Sequence, residues 1–290
     1  MSLDKRAMLV SLSISQWTAR KFDRKVTNET NQRYAADADA GRWTKALVAK
    51  EAIAKIAAKS GALRLLFLKY SLPWTDEGSR VITVDVYQQF MKKVREIHGE
   101  WEPLVNEFCM NYPTLIEEAK KTLNGMFNPE DYPTPDRIRS KFRFSCRVLP
   151  IPTAEDFRVE KGDLSQEDID AIKREVTETS ASVVTEATKE LWDRLRARVK
   201  HAAETLSDKD ANRWHGTLIT NMKEDAEIAK KLNIANDPLL NQIAQEVLDQ
   251  LADLDPDVLK KHPRVRSKAA QDAQAILNKM SAYCGGPASK

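Results

Sequence analysis

The stretch from Ser165 to Leu206 contains neither glycine nor proline, and no other part of the chain restricts the fold so strongly. Its opening reads as a helix start. Ser165 lies three residues before Asp168, so each side chain can cap the other's backbone N–H, and Leu164 can clasp Ile169 as a hydrophobic staple. Beyond it Ile169, Ile172, Val176, Val183, Ala187, Leu191, Leu195, Val199, Ala202 and Leu206 recur at steps of three, four or seven, with Ser180 filling the gap in the stripe. The mean period is about 3.7 residues per turn, closer to a straight helix than to the 3.5 of a left-handed coiled coil. The pattern therefore predicts one long packed helix and not a parallel zipper.

At 290 residues the chain can bury one large core or two modest ones, and 42% apolar with 31% charged residues is ordinary for a folded protein. The 46 basic residues nearly balance 43 acidic ones, so the net charge of +3 does not by itself announce a nucleic-acid partner. Any such reading must rest on local clusters. Three cysteines, Cys109, Cys146 and Cys284, are scattered without a CxxC pair, which suits a reducing cytosol better than a disulfide framework or a zinc site. No apolar run approaches the roughly 18 residues of a membrane span, and the first residues do not form a signal-peptide core.

Along the chain, Val10–Ser15 alternates apolar and polar residues with the period of a half-buried strand. Residues 16–34 are expected to form an amphipathic helix, broken at 35–43. Two further helices are expected at 44–59 and 62–70, separated by Ser60-Gly61 like a hairpin. A stripe from Tyr87 to Phe108 crosses Pro103, so a kink or break is expected near Trp101, and Pro113 is expected to start a separate helix over 114–123. A second alternation sets Phe142, Phe144, Cys146 and Val148 against Arg143, Ser145 and Arg147, and the obvious partner strand is Val10–Ser15. After the long helix, a stripe from Ala211 to Leu232 reads as its antiparallel neighbour. Asp237-Pro238 and Asp255-Pro256 each start a helix, and a last helix spans about 264–283. The predicted fold is mainly α: a unit over 1–162 with a small antiparallel sheet, and an all-helical antiparallel bundle over 163–290 built on the long helix.

The common catalytic frameworks are missing: there is no phosphate-binding G-x-x-x-x-G-K-[ST] loop, no G-x-G-x-x-G after a strand, no H-E-x-x-H and no G-x-S-x-G. Four histidines (His98, His201, His215, His262) are widely spread, and His98 and His215 sit beside tryptophans as packing or capping residues would. Carboxylate pairs such as Glu117-Glu118 and Glu130-Asp131 read as solvated faces. No catalytic, cofactor or metal residue is nominated. Two basic clusters rank higher. Arg137, Arg139, Lys141, Arg143 and Arg147 interleave with Phe142 and Phe144, an arrangement that can bind a single strand through phosphates and stacking. The alternation favours the plainer arrangement, with both rings in the core and the arginines in water. The second cluster, Lys260, Lys261, His262, Arg264, Arg266 and Lys268, falls at the start of the last helix, where the dipole disfavours cations, so helix propensity does not explain it. With the unpaired N–H groups of that helix start it could hold phosphates or another anion. A third group, Arg194, Arg196, Arg198 and Lys200, lies near the end of the long helix, where the dipole favours cations.

The motifs MLVSLSISQWTARKFD, DAGRW, SLPW, FNPEDYP, RIRSKFRFSCRVLPIP and DFRV occur in this order at residues 8–159. In their order and spacing the chain resembles a family of uncharacterised bacteriophage and prophage proteins over nearly its whole length. The resemblance implies a phage-encoded protein in the host bacterial cytoplasm, and it transfers no activity and no catalytic residues. It further implies a neighbourhood that includes a ring-forming AAA+ ATPase and a von Willebrand A-type protein similar to cobaltochelatase subunits.

The leading expectation is a non-enzymatic interaction protein, either an adaptor for such an ATPase or an inhibitor of a host system. Nucleic-acid binding through the basic clusters is the alternative, and an enzyme of unknown chemistry the third. Self-association is left open.

Overall fold

The computed structural model describes residues 3–74, 78–153, 165–208 and 217–284. In chain order the elements are β1 (Ala7–Ser15), β2 (Arg20–Phe22), α1 (Arg24–Arg33), β3 (Thr44–Ala46), α2 (Lys50–Tyr70), β4 (Leu72–Pro73), β5 (Ser79–Thr83), α3 (Val84–Leu123), α4 (Pro135–Ile138), β6 (Arg143–Leu149), α5 (Gln166–Ser207), α6 (Thr217–Lys231), α7 (Pro238–Leu251), α8 (Pro256–Lys261) and α9 (Pro263–Cys284). The fold is mainly α with a small antiparallel component. One sheet has the strand order β4-β5-β1-β6, and β2 pairs with β3 in a second. The alternation at 142–148 thus does lie beside β1, as expected.

Packing divides the chain into two compact units: Met1–Ser11, Leu68–Gln89 and Arg147–Lys290 form one, and Leu12–Phe67 with Phe90–Cys146 the other. Where sequence order suggests a division near 162, packing places β4 and β5 with the C-terminal helices. Hydrogen bonds explain the grouping. Ser71 carbonyl accepts from Arg80 of β5 at 3.0 Å and from Arg194 of α5 at 2.9 Å, which ties strand and helix together.

In the unit formed by 12–67 and 90–146, the core comprises Trp17, Leu47, Ile56, Trp101, Val105, Phe108, Tyr112, Ile138 and Phe142 with smaller neighbours. Three expectations are corrected here. Residues 16–23 do not continue a helix. The chain runs into β2, and Asp23 starts α1 by accepting from the Val26 N–H at 3.1 Å. Residues 44–70 are not a helical hairpin, because Thr44–Ala46 is a strand paired with β2 and the rest is one helix. Gly61 sits inside α2 with open space where a Cβ would lie, and fully buried Ser60 accepts from the Trp101 indole at 3.0 Å. Last, α3 runs unbroken for 40 residues through Pro103 and Pro113. Both prolines are exposed, so the carbonyl each deprives of a donor can turn to water, while Trp101, Val105, Phe108 and Tyr112 hold the opposite face in the core.

In the other unit, β1 and β5 pair antiparallel from Ala7↔Thr83 to Ser11↔Ser79. The capping box at the start of α5 is present, with Ser165 and Asp168 capping each other's backbone N–H. This helix packs chiefly along α9, and α6 packs on α7. The expected stretch 211–216 before α6, the staple residue Leu164 and His215 lie outside the described residues. Asp237 and Asp255 cap α7 and α8, each followed by proline as the first helical residue. Among the described residues no helix is long and apolar enough to cross a membrane.

Candidate functional site

The basic run at 260–268 spans two helices. Lys260 and Lys261 occupy the last turn of α8, where the negative end of the dipole favours them, and the His262 N–H closes that turn on the Val258 carbonyl at 2.9 Å. The expectation that these charges oppose a helix dipole is therefore corrected for the two lysines, whereas Arg264 and Lys268 do lie in the first turns of α9. The run is also divided by direction. Lys260, Lys261, Arg264 and Lys268 are exposed, while Arg266 is turned inward and only 9% exposed. This follows from helical spacing: Arg266 shares its face with Ala269, Ala270 and Ala273, which are buried.

The other cluster is built differently. Phe142 is 2% exposed and meets Phe108 edge to face, with ring centres 5.5 Å apart. The Phe144 ring lies 4.3 Å from that of His98, which also stacks on Trp101. Both phenylalanine rings are committed to packing, as the alternation favoured, so no open ring lies between the cations. Arg139 pairs with Glu102 and donates to the Phe142 carbonyl at 2.9 Å, and Arg143 donates to the Ser140 carbonyl at 3.0 Å. Arg143 and Arg147 are exposed. The third group is structural. Arg194 pairs with Glu190, and Arg198 reaches Asp225 at 2.5 Å, beside Lys69, which lies 2.9 Å from both Glu224 and Asp225. Burial pushes the thiols of Cys109 and Cys146 up, the opposite of what a nucleophilic cysteine needs.

Sequence reasoning missed a buried ion triad. Lys45 Nζ lies 2.7 Å from Asp131 and 3.3 Å from Asp23, and donates to the Met126 carbonyl at 2.8 Å. Glu130-Asp131 reads as a solvated pair in the sequence, yet the Asp131 side chain is only 11% exposed. Burial alone would push the Lys45 ammonium down, but the two carboxylates outweigh it and hold the group above its usual range. The Val26 N–H is the main reason the Asp23 carboxyl sits below its usual range, with Lys45 adding to it. Nearby, the Tyr132 hydroxyl donates to the Leu47 carbonyl at 2.8 Å and that of Tyr112 to the Pro133 carbonyl at 3.0 Å; burial pushes Tyr112 up to about 12. These bonds tie 126–133 to β3 and α3. Among the described residues no group of three His, Cys, Asp or Glu side chains converges as a metal site would require.

A different feature of α5 bears on function. Its apolar stripe is buried from Val183 onward, through Ala187, Leu191, Leu195, Val199 and Ala202 to Leu206. Ile169, Ile172 and Val176, on the same stripe, are only half-buried. The stripe thus continues over about four helical turns in which no described residue of α5 is buried.

No family model, no curated protein and no solved structure matches this chain.

Proposed function

We propose that this chain is a non-enzymatic interaction protein whose docking surface is the first half of α5. One observation carries the reading: the stripe of Ile169, Ile172 and Val176 keeps the spacing of a packed helix but stays half open, while the same stripe beyond Val183 is buried. An amphipathic helix face of this kind is what a partner's groove or a second helix covers. The resemblance to phage and prophage proteins supplies the partner class: an AAA+ ATPase with its von Willebrand A-type companion, or a host system that the chain inhibits, in the bacterial cytoplasm. The test is capture from phage-infected cells of wild type and of a variant carrying Ile169→Glu, Ile172→Glu and Val176→Glu, with nuclease added. The reading expects one of these partners to be retained by wild type and lost by the variant, at unchanged helical content. Equal capture by both would refute it.

A second reading, nucleic-acid binding, draws support from the exposed Lys260, Lys261, Arg264 and Lys268 on consecutive helices. Neutralising these four should flatten the salt dependence of duplex DNA binding by about 3–4 log units per log unit of salt. Equal slopes for both proteins would dispose of it.

A further inference from the structure

Arg266 is 9% exposed, yet among the described residues its guanidinium makes no hydrogen bond and no ion pair. Its neighbours in the same unit are handled otherwise. Arg80 is bonded to Ser71 and Glu190, Arg194 to Ser71 and Glu190, and Arg6 donates to the Ile234 carbonyl and to Asn236. An arginine stays charged at any relevant pH and carries five donors, so one on a buried helix face whose guanidinium keeps its contact with solvent and takes no protein partner calls for an explanation.

Its surroundings supply one. Arg266 lines a recess of about 430 Å³ where the last turn of α5 meets the first turns of α9. Leu206, Pro263 and Ala270 give it an apolar wall, and Ser267, Gln271 and Gln274 add neutral polar groups. The Gln274 amide gives one N–H to Asn278 at 3.0 Å and keeps a second. Pro263 begins a helix of 22 residues, so the positive end of its dipole lies beside the recess. Arg264 and Lys268 sit one turn before Ser267 and Gln271 on the adjoining face and add positive charge at the rim. Asp208 shares the rim and is itself engaged.

We infer that this recess is a binding site for a phosphate monoester with a small organic body, its phosphate on Arg266 and its body against Leu206, Pro263 and Ala270. The guanidinium fork matches two phosphate oxygens, the rim cations favour a dianion over a carboxylate, and the volume exceeds that of phosphate alone. The site stands apart from the open stripe on α5, so either can fail alone. The competing account is that the negative end of the α5 dipole holds Arg266 in place and nothing binds.

The experiment uses the full chain in phosphate-free buffer and follows thermal stability and calorimetric binding with inorganic phosphate, adenosine monophosphate and citrate. Wild type is compared with Arg266→Met, which keeps the packing volume and removes the charge, and with Arg264→Gln/Lys268→Gln, which leaves the recess floor intact. The expected result is binding of the nucleotide with at least tenfold loss in Arg266→Met and a smaller loss in the rim variant. Ligand-free Arg266→Met should melt close to the wild-type temperature, because the guanidinium gives up no hydrogen bond or ion pair with the protein while the packing volume is kept. A drop of several degrees in that variant would show a structural arginine and overturn the inference. So would nucleotide binding equal in wild type and Arg266→Met, a preference for citrate, or no response of wild type to any of the three.

Discussion

The Trp192 indole Nε1 donates to Asp237 Oδ2 at 2.9 Å, while Oδ1 of the same carboxylate caps α7 through the N–H groups of Leu239 and Leu240. One side chain thus starts a helix and fixes α5 against that start. Asn233 completes the arrangement, accepting from the Asp237 N–H at 2.9 Å and donating to its carbonyl at 2.7 Å. Asp237→Ala removes the cap and leaves a nearly buried indole N–H unpaired, at a cost of about 2–3 kcal/mol. Trp192→Phe should cost about 1 kcal/mol beyond its lost packing. In a double-mutant cycle by urea denaturation the two changes should couple by about 1 kcal/mol, and strict additivity would show that the bond contributes nothing.

Lys45 is expected to matter more than its partners taken singly. Lys45→Met leaves the carboxylates of Asp23 and Asp131 side by side in a nearly closed site and should destabilise the protein by about 3 kcal/mol near neutral pH. The pH dependence follows from the directions of the shifts. The Asp23 carboxyl is held below its usual 3.8, so its contribution is complete above that value and is lost as pH falls through the depressed folded value. The Lys45 ammonium is held above its usual 10.5, so its contribution is complete below that value and is lost as pH rises through the raised folded value. The stability difference between wild type and Lys45→Met, from denaturant titrations, should be flat from about pH 5 to 9 and shrink on both sides. A difference that grows in acid would contradict the triad.

Gly61→Ala distinguishes one helix from two. The position lies inside α2, a Cβ there meets open space, and the backbone is not left-handed. Alanine should therefore add about 0.5–1 kcal/mol in thermal or urea unfolding. A loss of stability would indicate a turn at this position.

What the sequence discloses and what it hides differ in range. The start of α5, the Asp237-Pro238 and Asp255-Pro256 caps and the inward placing of Phe142 and Phe144 are legible because each depends on residues within a turn or two of one another, whereas Val148, expected on the same face, is exposed. The errors in α2 and α3 arise where a local breaker signal is overruled by distant packing: Gly61 is carried by a helix whose Ser60 is bonded to Trp101, and Pro103 by a face that Trp101 and Val105 bury. The candidate site behaves the same way. The run of cations at 260–268 is visible, but that Arg266 alone turns inward depends on α9 lying along α5. Lys45 could not be found, because Asp23 and Asp131 approach it from far along the chain.

If the first half of α5 is a protein-docking face, a photoreactive side chain on that face will trap the partner in place. A photoreactive residue is placed at half-buried Ile172, and in a control at exposed Gln242 on α7, in the full chain within infected cells. The expected result is a protein adduct at Ile172, resistant to nuclease and identified by mass spectrometry as the proposed AAA+ ATPase, its von Willebrand A-type companion or a host target, with none at Gln242. Adducts equal at the two positions, or an Ile172 adduct that disappears with nuclease, would contradict it.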